Sequence, residues 1–281
     1  MSFDLSLVGQ KSEPTTFEYD WKQIVLYALG IGAKADELDY LYENRGPKTY
    51  PSFAVVPSFA PMLSLLGKTG GNLAAVVHGG QKVKMHAPLP AEGKLLTTAT
   101  IRGIYDMKKF ASVITDTETT DAKGNKLFDT TWSIIFRGGG GFGGNPPPKE
   151  DVAAPPTDGT RPDFAISEAT SKEQALLYRL SGDLNPLHAD PAFAQMAGFP
   201  QGPILHGLCT FGYMIRHVVK GACNGDATKL RAFEAQFRKP VWPGDTIVTS
   251  GFKLPDGRYA LTVGVTERPD LVITNAVAVV D

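Results

Sequence analysis

The sequence predicts an α+β fold made of two similar units. Residues 27–32 resemble residues 178–183, and residues 88–93 resemble residues 240–245, at offsets of 151 and 152 positions. Two distant segments that recur at nearly one offset indicate an internal duplication. In each half, helical periodicity precedes a run of hairpin strands, and this arrangement is typical of an α+β unit in which an antiparallel sheet wraps a helix.

Composition and charge restrict the classes of function. The 281 residues suffice for one large or two medium domains, and the 42% hydrophobic and 20% charged fractions are ordinary for a soluble globular protein. The formal net charge of −1 favours neither nucleic acid nor an anionic membrane as partner, and no apolar run reaches membrane-spanning length. The two cysteines, Cys209 and Cys223, are expected to be free thiols in a reducing compartment.

The first half is predicted to contain an N-terminal arm, two helices and four strands. Residues 1–16 are polar and are expected to form the arm. Apolar residues at helical spacing predict a helix over residues 17–29, which is closed by glycines. A second, short helix is predicted over residues 57–66. Segments rich in Thr, Ile and Val predict strands over residues 82–87, 94–105, 110–120 and 127–136.

A Gly- and Pro-rich run separates the two halves. Residues 138–161 contain few apolar side chains and predict a linker, which leaves domains at residues 1–137 and 162–281. Gly138, Gly140 and Gly143 match the Gly-x-Gly-x-x-Gly spacing of dinucleotide-binding loops. A dinucleotide fold needs a helix directly after that loop, and here Pro-rich chain follows, so we reject a dinucleotide site.

The second half repeats the pattern of the first. Helical spacing is predicted over residues 168–180, a short helix over residues 191–197, and a longer apolar helix over residues 207–219. The predicted strands are residues 230–238, 246–254, 259–266 and 271–280, with a hairpin signal at Asp256-Gly257.

The most informative stretch is Tyr178-Arg179-Leu180-Ser181-Gly182-Asp183-Leu184-Asn185-Pro186-Leu187-His188. Pro186 restricts Asn185 to extended conformations, so Asp183 and His188 are expected on a turn and not on one continuous helix. A rigid turn can direct a carboxylate and an imidazole at one water or substrate atom, as acid–base chemistry requires. Spacing alone equally allows an Asx-turn at Asp183 and a helix start after His188.

This stretch, with the following Ala194, resembles the signature of the MaoC-like hydratases, the 2-enoyl-CoA hydratase 2 family. The resemblance covers nearly the whole chain and is strongest over residues 164–245. It implies a double hot-dog fold, in which two helix-wrapped antiparallel sheets are joined side by side. Gly32 stands in the first half where Asp183 stands in the second, so the resemblance implies one active site, in the C-terminal repeat. The N-terminal repeat is then non-catalytic and accommodates the acyl chain.

The family reaction implied by this resemblance is reversible addition of water to a trans-2-enoyl-CoA, which gives a (3R)-3-hydroxyacyl-CoA in fatty-acid metabolism and β-oxidation. Negative charge develops on the thioester oxygen, so the enzyme needs a base, an acid and oxyanion donors. Asp183 is expected to act mainly as the base, and His188 to orient the water and share proton transfer. The backbone N–H of Gly207, at the start of an apolar helix, is expected to hold the oxyanion.

The resemblance also suggests residues that bind the acyl-CoA substrate. Asn185 is expected to fix the turn or contact the substrate, and His78-Gly79 and Phe237 resemble family segments that line the ligand site. The family often places a Lys directly after a Tyr-Asp pair, but Met107 occupies that position here. Lys108 is expected to supply the cation for the CoA phosphates instead.

The sequence lacks the motifs typical of common metal sites and of serine hydrolases. No His-Glu-x-x-His run or paired Cys motif is present, so neither a metal nor another cofactor is expected. Gly-x-Ser-x-Gly is absent, which disfavours a serine hydrolase. His86, His206 and His217 are expected to be structural or surface residues. Two alternatives to the hydratase stay open: a MaoC-like dehydratase of another acyl thioester, and a non-catalytic acyl-thioester-binding module.

Assembly and location are expected from the same resemblance. Paired hot-dog units often dimerise, so a homodimer is expected. The first residues lack a basic segment followed by an apolar run, and the last residues are not of the Ser-Lys-Leu type. A cytoplasmic enzyme is therefore expected, or a peroxisomal one if the chain is an excised domain of a larger protein.

Overall fold

One antiparallel sheet runs through both halves of the chain. The computed structural model describes residues 3–149, 153–157 and 159–281, so parts of the predicted arm and linker lie outside the described residues. The strands within them are β1 Thr15–Tyr19, β2 Val76–Met85, β3 Gly93–Asp106, β4 Phe110–Asp121, β5 Lys126–Arg137, β6 Phe164–Ala169, β7 Leu230–Phe237, β8 Thr246–Lys253, β9 Tyr259–Val265 and β10 Arg268–Val280. Their order in the sheet is β1-β3-β4-β5-β2-β7-β10-β9-β8-β6.

The strand order is the same in both halves when it is read outward from the middle of the sheet. The first half gives β2-β5-β4-β3-β1 and the second gives β7-β10-β9-β8-β6. Strands β2 and β7 join the halves through antiparallel pairing between Gly80–Gln236 and Lys84–Ala232. The predicted α+β class and the joined double hot-dog arrangement are confirmed, and the symmetry agrees with the duplication inferred from the sequence.

A central helix packs against the sheet of each half. The helices of the described residues are α1 Trp21–Gly30, α2 Leu38–Leu41, α3 Val55–Leu66, α4 Gln174–Tyr178, α5 Pro191–Met196 and α6 Gly207–Ala222. Helix α3 contacts β3 and β4, and α6 contacts β8 and β6. Helix α3 has 12 residues and α6 has 16, so the first half has the shorter central helix. No helix in the described part of the chain is long and apolar enough to cross a bilayer.

Two edge strands were not predicted from the sequence: β1 overlaps the predicted arm and first helix, and β6 begins before the helix predicted over residues 168–180. Strand β1 pairs with β3, and β6 pairs with β8, so each half has five strands and not the four predicted. Phe17 and Glu168, which were predicted to be helical, belong to these strands. Both strands are short edge strands, and their alternating burial extends over too few residues to compete with the helical spacing that follows.

The first part of the predicted linker is folded against the hairpin of β3 and β4. The carboxylate of Asp106 accepts hydrogen bonds from the N–H groups of Gly141, at 2.9 Å, and Gly143, at 2.8 Å. A Cβ atom at Gly140 would lie 2.5 Å from the carbonyl oxygen of Lys108, so glycine is required for this close approach. The described part of this segment contains no helix, which agrees with the rejection of a dinucleotide site.

A buried ion-pair network also joins the two halves. Arg216 on α6 is fully buried, and its guanidinium donates to Glu37 of the first half at 2.6 Å and to Glu168 of β6. Its Nε atom donates to the carbonyl oxygen of Ile31 at 3.1 Å. Tyr50 donates to the second oxygen of Glu37 at 2.5 Å. A charge buried this completely needs such partners, and here they come from both repeats.

Candidate active site

Asp183 lies in a short non-helical segment between two helical turns, and this segment forms the turn that carries Asp183 and His188. Helix α4 and a following 3₁₀ turn end at Gly182, whose φ of 125° is strained for other residues. The chain is then extended until a second 3₁₀ turn, Pro186–His188. The prediction that Asp183 and His188 lie on a turn and not on one helix is confirmed.

Local hydrogen bonds fix the direction of this turn. The Asp183 carboxylate accepts from the N–H of Asn185 at 3.2 Å, and the Asn185 side chain accepts from the N–H of Leu187 at 3.0 Å. Asp190 caps α5 in the same way and accepts from Ala192 at 2.8 Å. The Asx-turn and the helix start that spacing alone also allowed are therefore both present. They place Asp183 and His188 in the wall of one cavity.

His188 is buried, and its proton arrangement can be read from its contacts. Its Nδ1 atom lies 2.9 Å from the carbonyl oxygen of Ile204. Because a carbonyl only accepts, Nδ1 carries the hydrogen and the neutral ring keeps the lone pair of Nε2 for another partner. Burial lowers the pKa of His188, while the bond to Ile204 and the charge of Asp183 oppose that change. The ring therefore favours its neutral, proton-accepting form.

His206 lies in the same site, although the sequence analysis treated it as structural or surface. It is 1% exposed, and its ring stacks on that of His188 with centroids 3.7 Å apart. Its Nε2 atom lies 3.1 Å from the backbone oxygen of Asp183. The only sequence signal was its position directly before Gly207. His86, paired with Asp129 outside the cavity wall, and the buried His217 agree with the sequence analysis.

The start of α6 faces the cavity through Gly207. The N–H groups of Cys209 and Thr210 donate to the carbonyl oxygen of His206, whereas the first two N–H groups of the helix have no acceptor within it. A Cβ atom at Gly207 would lie 3.4 Å from the ring of Phe237, which leaves a narrow space over this backbone. Unpaired N–H groups and the helix dipole favour an anion at this point.

The first half supplies the opposite wall through β2. The ring of His78 stacks on Trp132 with centroids 5.2 Å apart and lies 4.8 Å from the ring of Phe237. Burial lowers the pKa of His78 to about 4, so its ring is neutral near pH 7. The register of β2 shifts between His78 and Gly80, and this bulge brings Gly79 to the cavity. One cavity is thus lined by these expected site residues: Asp183, Asn185, His188, Gly207, His78, Gly79 and Phe237.

The cavity has a volume of about 1160 Å³ and two different kinds of wall. Helix α3 contributes an apolar wall from Phe59, Met62, Leu63 and Leu66. Basic side chains also line the cavity, namely Lys82, Arg137, Arg238 and Lys239. Lys108, the cation expected from the sequence, is exposed and is not among the lining residues, although the neighbouring Met107 is. These basic residues share no local sequence motif, because strands from both halves of the chain bring them to one cavity.

Asp183, His188 and His206 are residue types that can bind a metal ion. Single donor atoms of Asp183, His188 and His206 lie within 4.8 Å of one another. However, the two rings are stacked at an interplanar angle of 27°, so their lone pairs point along nearly parallel planes and not to a common centre. Each ring also uses one nitrogen for a backbone carbonyl. The arrangement suits a water molecule held between a carboxylate and an imidazole better than a tetrahedral ion.

Comparisons with known proteins divide the chain in the same way as the fold. Residues 17–138 match the family model described as the MFE-2 hydratase 2 N-terminal domain, and residues 153–274 match the MaoC like domain. Among curated proteins, the 3-hydroxyacyl-thioester dehydratase Y of Mycobacterium tuberculosis is 39% identical over 266 residues, which cover 92% of this chain and 90% of that protein. The peroxisomal enoyl-CoA hydratase 2 of Arabidopsis thaliana is 33% identical, covering 86% and 84%.

A solved structure gives the same result at the level of the fold. The full-length peroxisomal multifunctional enzyme type 2 of Drosophila melanogaster aligns with a TM-score of 0.83 at 33% identity. The alignment covers 96% of this chain but only 48% of that longer protein. The present chain therefore spans about half of that relative.

Proposed function

Because the chain belongs to the MaoC-like, 2-enoyl-CoA hydratase 2 family, we propose that it is an (R)-specific 2-enoyl-CoA hydratase. The observation that carries the proposal is the juxtaposition of Asp183 and His188 beside the first N–H groups of α6 in one cavity. These are the base, the water-binding group and the oxyanion donor that hydration of an enoyl thioester requires.

The proposed reaction begins with a water molecule between the Asp183 carboxylate and the Nε2 atom of His188. Asp183 takes a proton as the water oxygen bonds to C3, and the electrons of the C2–C3 double bond move to the thioester oxygen. The N–H of Gly207 stabilises the resulting enolate. The enolate collapses as C2 receives a proton from Asp183, assisted by His188, so that one water is added overall and both groups return to their starting states. Asn185 holds the turn that aims the two groups.

We propose that the acyl chain lies against α3 of the first half. Met62 and Leu66 are buried and line the cavity, and Leu63 is 40% exposed beside them. Removing an apolar chain from water is favourable by about 0.8 kcal/mol per CH₂ group, so contact with this wall should strengthen the binding of medium and long acyl chains. The N-terminal repeat then has an accommodating, non-catalytic role, since Gly32 occupies the position that corresponds to Asp183.

We assign the CoA end of the substrate to the basic part of the cavity. Lys239 is more than half exposed, and its nearest carboxylate, Asp270, is 3.8 Å away. Arg238 donates to Thr274 at 2.7 Å, which holds its guanidinium in place along the sheet. These cations can contact phosphates, and they replace Lys108 in that role. His78, Gly79 and Phe237 would line the passage between this region and the dyad.

Two alternatives use the same site. Dehydration of a 3-hydroxyacyl thioester is the reverse reaction, and the Mycobacterium relative is named for it; the thioester carrier would then distinguish the two enzymes. A non-catalytic binding module would not require a carboxylate and a neutral imidazole within 4.8 Å of each other. The geometry therefore favours catalysis over binding alone.

We further propose that two copies form a homodimer in the cytoplasm. Paired hot-dog units often dimerise, and the catalytic half exposes the apolar side chains of Leu176, Leu180 and Met196, which are 51%, 58% and 80% exposed. Both cysteines are free and buried, which suits a reducing compartment. Light scattering of the purified protein tests the dimer, and fractionation of cells distinguishes cytoplasm from peroxisomes.

The loss of enoyl absorbance on incubation with trans-2-decenoyl-CoA tests the proposed function. We expect wild type to turn over, and Asp183→Asn and His188→Ala to lose at least about a hundredfold in kcat, as is typical when a general base is removed. Asp256→Asn and His86→Ala alter exposed residues outside the cavity wall and serve as matched controls that should keep wild-type rates. Binding of the thioester without hydration by wild type would overturn the proposal and favour the binding module.

A further inference from the structure

His206 connects the three parts of the candidate site. Its Nε2 atom contacts the backbone oxygen of Asp183, its ring covers the ring of His188, and its carbonyl oxygen accepts the first hydrogen bonds of α6. The next residue is Gly207, the expected oxyanion donor. The buried side chain of His206 therefore contacts both the turn of Asp183 and the imidazole of His188. Its backbone precedes α6, the helix whose first N–H group is expected to bind the oxyanion.

The segment that carries His206 is itself anchored. The N–H of Leu205 donates to the carbonyl oxygen of Val241 at 2.7 Å, and the carbonyl oxygen of Ile204 accepts from His188. Two consecutive residues, Ile204 and Leu205, thus fix the segment to the imidazole and to the neighbouring loop. A side chain held on such an anchored segment can act as a template for the groups that it contacts.

The hydrogen-bond partners define the state of the His206 ring. Because the backbone oxygen of Asp183 only accepts, Nε2 carries the hydrogen, and Nδ1 is a buried lone pair with no hydrogen-bond partner among the described residues. Burial, followed by the nearby His188, lowers the pKa of His206 to about 2. His206 consequently stays neutral at working pH, and His188 is the ring of the pair that can accept a proton.

We propose that His206 is a positioning residue for hydration, with two separable roles. Its N–H fixes the backbone of Asp183, and its ring shields one face of His188 from water. This inference rests on the proposed function for its kinetic readouts, but its effect on His188 can be measured without substrate. The functional-site signature in the sequence does not include this residue, and the structure assigns it by contact.

Other groups near His188 must be considered in any pH experiment. Asp183 lies on the same turn as His188, and Tyr178 and Arg179 lie near the His206 ring that stacks on His188. Lys172 and Arg268 line a second cleft of about 570 Å³ on which His188 also borders. All of these groups stay unchanged in variants of His206, so differences between the variants report on His206.

Two substitutions separate the two roles. His206→Phe keeps a flat ring over His188 but removes the donor to Asp183. His206→Gln keeps an N–H donor but removes the ring, so water reaches His188 and its pKa should rise towards the ordinary value. His86→Gln, on an exposed histidine outside the cavity wall, is the matched control. The measurements are kcat and KM for trans-2-decenoyl-CoA against pH, ¹⁵N NMR titration of His188, and thermal unfolding.

We expect His206→Phe to lower kcat by about tenfold or more, because misplacement of a catalytic group by a fraction of an ångström has effects of this order. KM and the titration of His188 should remain close to wild type. His206→Gln should retain a larger part of the wild-type kcat, while the acidic limb of kcat and the NMR titration of His188 both move to higher pH.

Unchanged kcat and unchanged titrations in both folded variants would overturn the proposal. Losses of kcat that are fully explained by a smaller folded fraction of the variant would overturn it as well. If wild type itself shows no turnover, the proposed function fails, whereas an unchanged His188 titration in His206→Gln removes the shielding role independently.

Discussion

The Nδ1 atom of His188 lies 2.9 Å from the carbonyl oxygen of Ile204, three residues before the start of α6 at Gly207. One short segment therefore fixes the tautomer of the imidazole and leads into the helix that we assign to the oxyanion. The lone pair of Nε2 is left for the reacting water. Residues 204–207 thus position both His188 and the N–H group of Gly207.

The pH dependence of hydration should report on His188. Its pKa is lowered by burial, so its neutral form persists below the ordinary histidine value of about 6.5. The acidic limb of kcat/KM is expected below that pH in wild type. Asp183→Asn removes a negative charge that raises the pKa of His188, so the limb of its residual activity should move to still lower pH. A limb that moves upward in the variant would contradict this arrangement of charges.

Chain-length preference should depend on the wall formed by α3. Leu63→Trp adds bulk to a half-exposed lining position and should lower kcat/KM for trans-2-decenoyl-CoA by about tenfold or more, given ~0.8 kcal/mol for each displaced CH₂. Hydration of crotonyl-CoA should be nearly unchanged. Leu38→Trp, at a similarly exposed leucine outside the cavity wall, is the control. Equal losses on both substrates would show that this wall does not hold the acyl chain.

The glycine-rich segment should influence substrate binding through Asp106. This carboxylate accepts from Lys108, Gly141 and Gly143, and the same segment continues to Pro147 and Pro148 in the cavity wall. Asp106→Ala should raise KM for the CoA thioester several-fold and leave kcat within about twofold, since the dyad is untouched.

Asp121→Ala provides the control for that measurement. Asp121 makes a similar turn, with bonds to the N–H groups of Lys123 and Asn125, but it lies outside the cavity wall. Asp106→Asn keeps one acceptor oxygen and should give an intermediate KM. If the Asp106 and Asp121 variants have the same KM, the segment is only a connection between the two halves.

Stability should depend on the buried pair between Arg216 and Glu37. Arg216→Met leaves two carboxylates poorly compensated and should lower the free energy of unfolding by about 3–5 kcal/mol. Lys220→Met, which removes a more exposed cation from the same carboxylates, should cost about 1 kcal/mol or less. Urea unfolding at neutral pH measures both differences.

The same pair has a defined pH dependence. Burial alone would raise the pKa of Glu37, but Arg216 and Tyr50 hold it below the ordinary value. A lowered carboxyl pKa gives stability that is present above the unfolded-state value of about 4.3 and is lost as pH falls through the folded-state value. In Arg216→Met the positive charge that stabilises the Glu37 carboxylate is absent. The difference in unfolding free energy between wild type and this variant should therefore shrink as pH falls and Glu37 is protonated. A deficit that is constant from neutral to acidic pH would contradict the ion-pair account.

The sequence predicted the strongly patterned parts of the fold. Pro186 and Gly182 act locally, so the turn at Asp183 could be recognised without tertiary information. The edge strand at Thr15–Tyr19 could not, because its five residues gain their hydrogen bonds from β3 and not from their own pattern. His206 was missed for a related reason: its contact with the backbone of Asp183 joins residues 23 positions apart, which no local pattern records. The contact of Lys108 with phosphate stays a prediction, because Lys108 is exposed and lies outside the cavity wall.

The configuration of the product at C3 tests the central claim most directly. Wild type would be incubated with trans-2-decenoyl-CoA, and the product divided between a (3R)-specific and a (3S)-specific 3-hydroxyacyl-CoA dehydrogenase. We expect NADH formation only with the (3R)-specific enzyme, since one face of the double bond is presented to the water between Asp183 and His188. The rate with Asp183→Asn should be lower by at least about a hundredfold. Oxidation by the (3S)-specific enzyme, or hydration at the wild-type rate in Asp183→Asn, would contradict the proposed site.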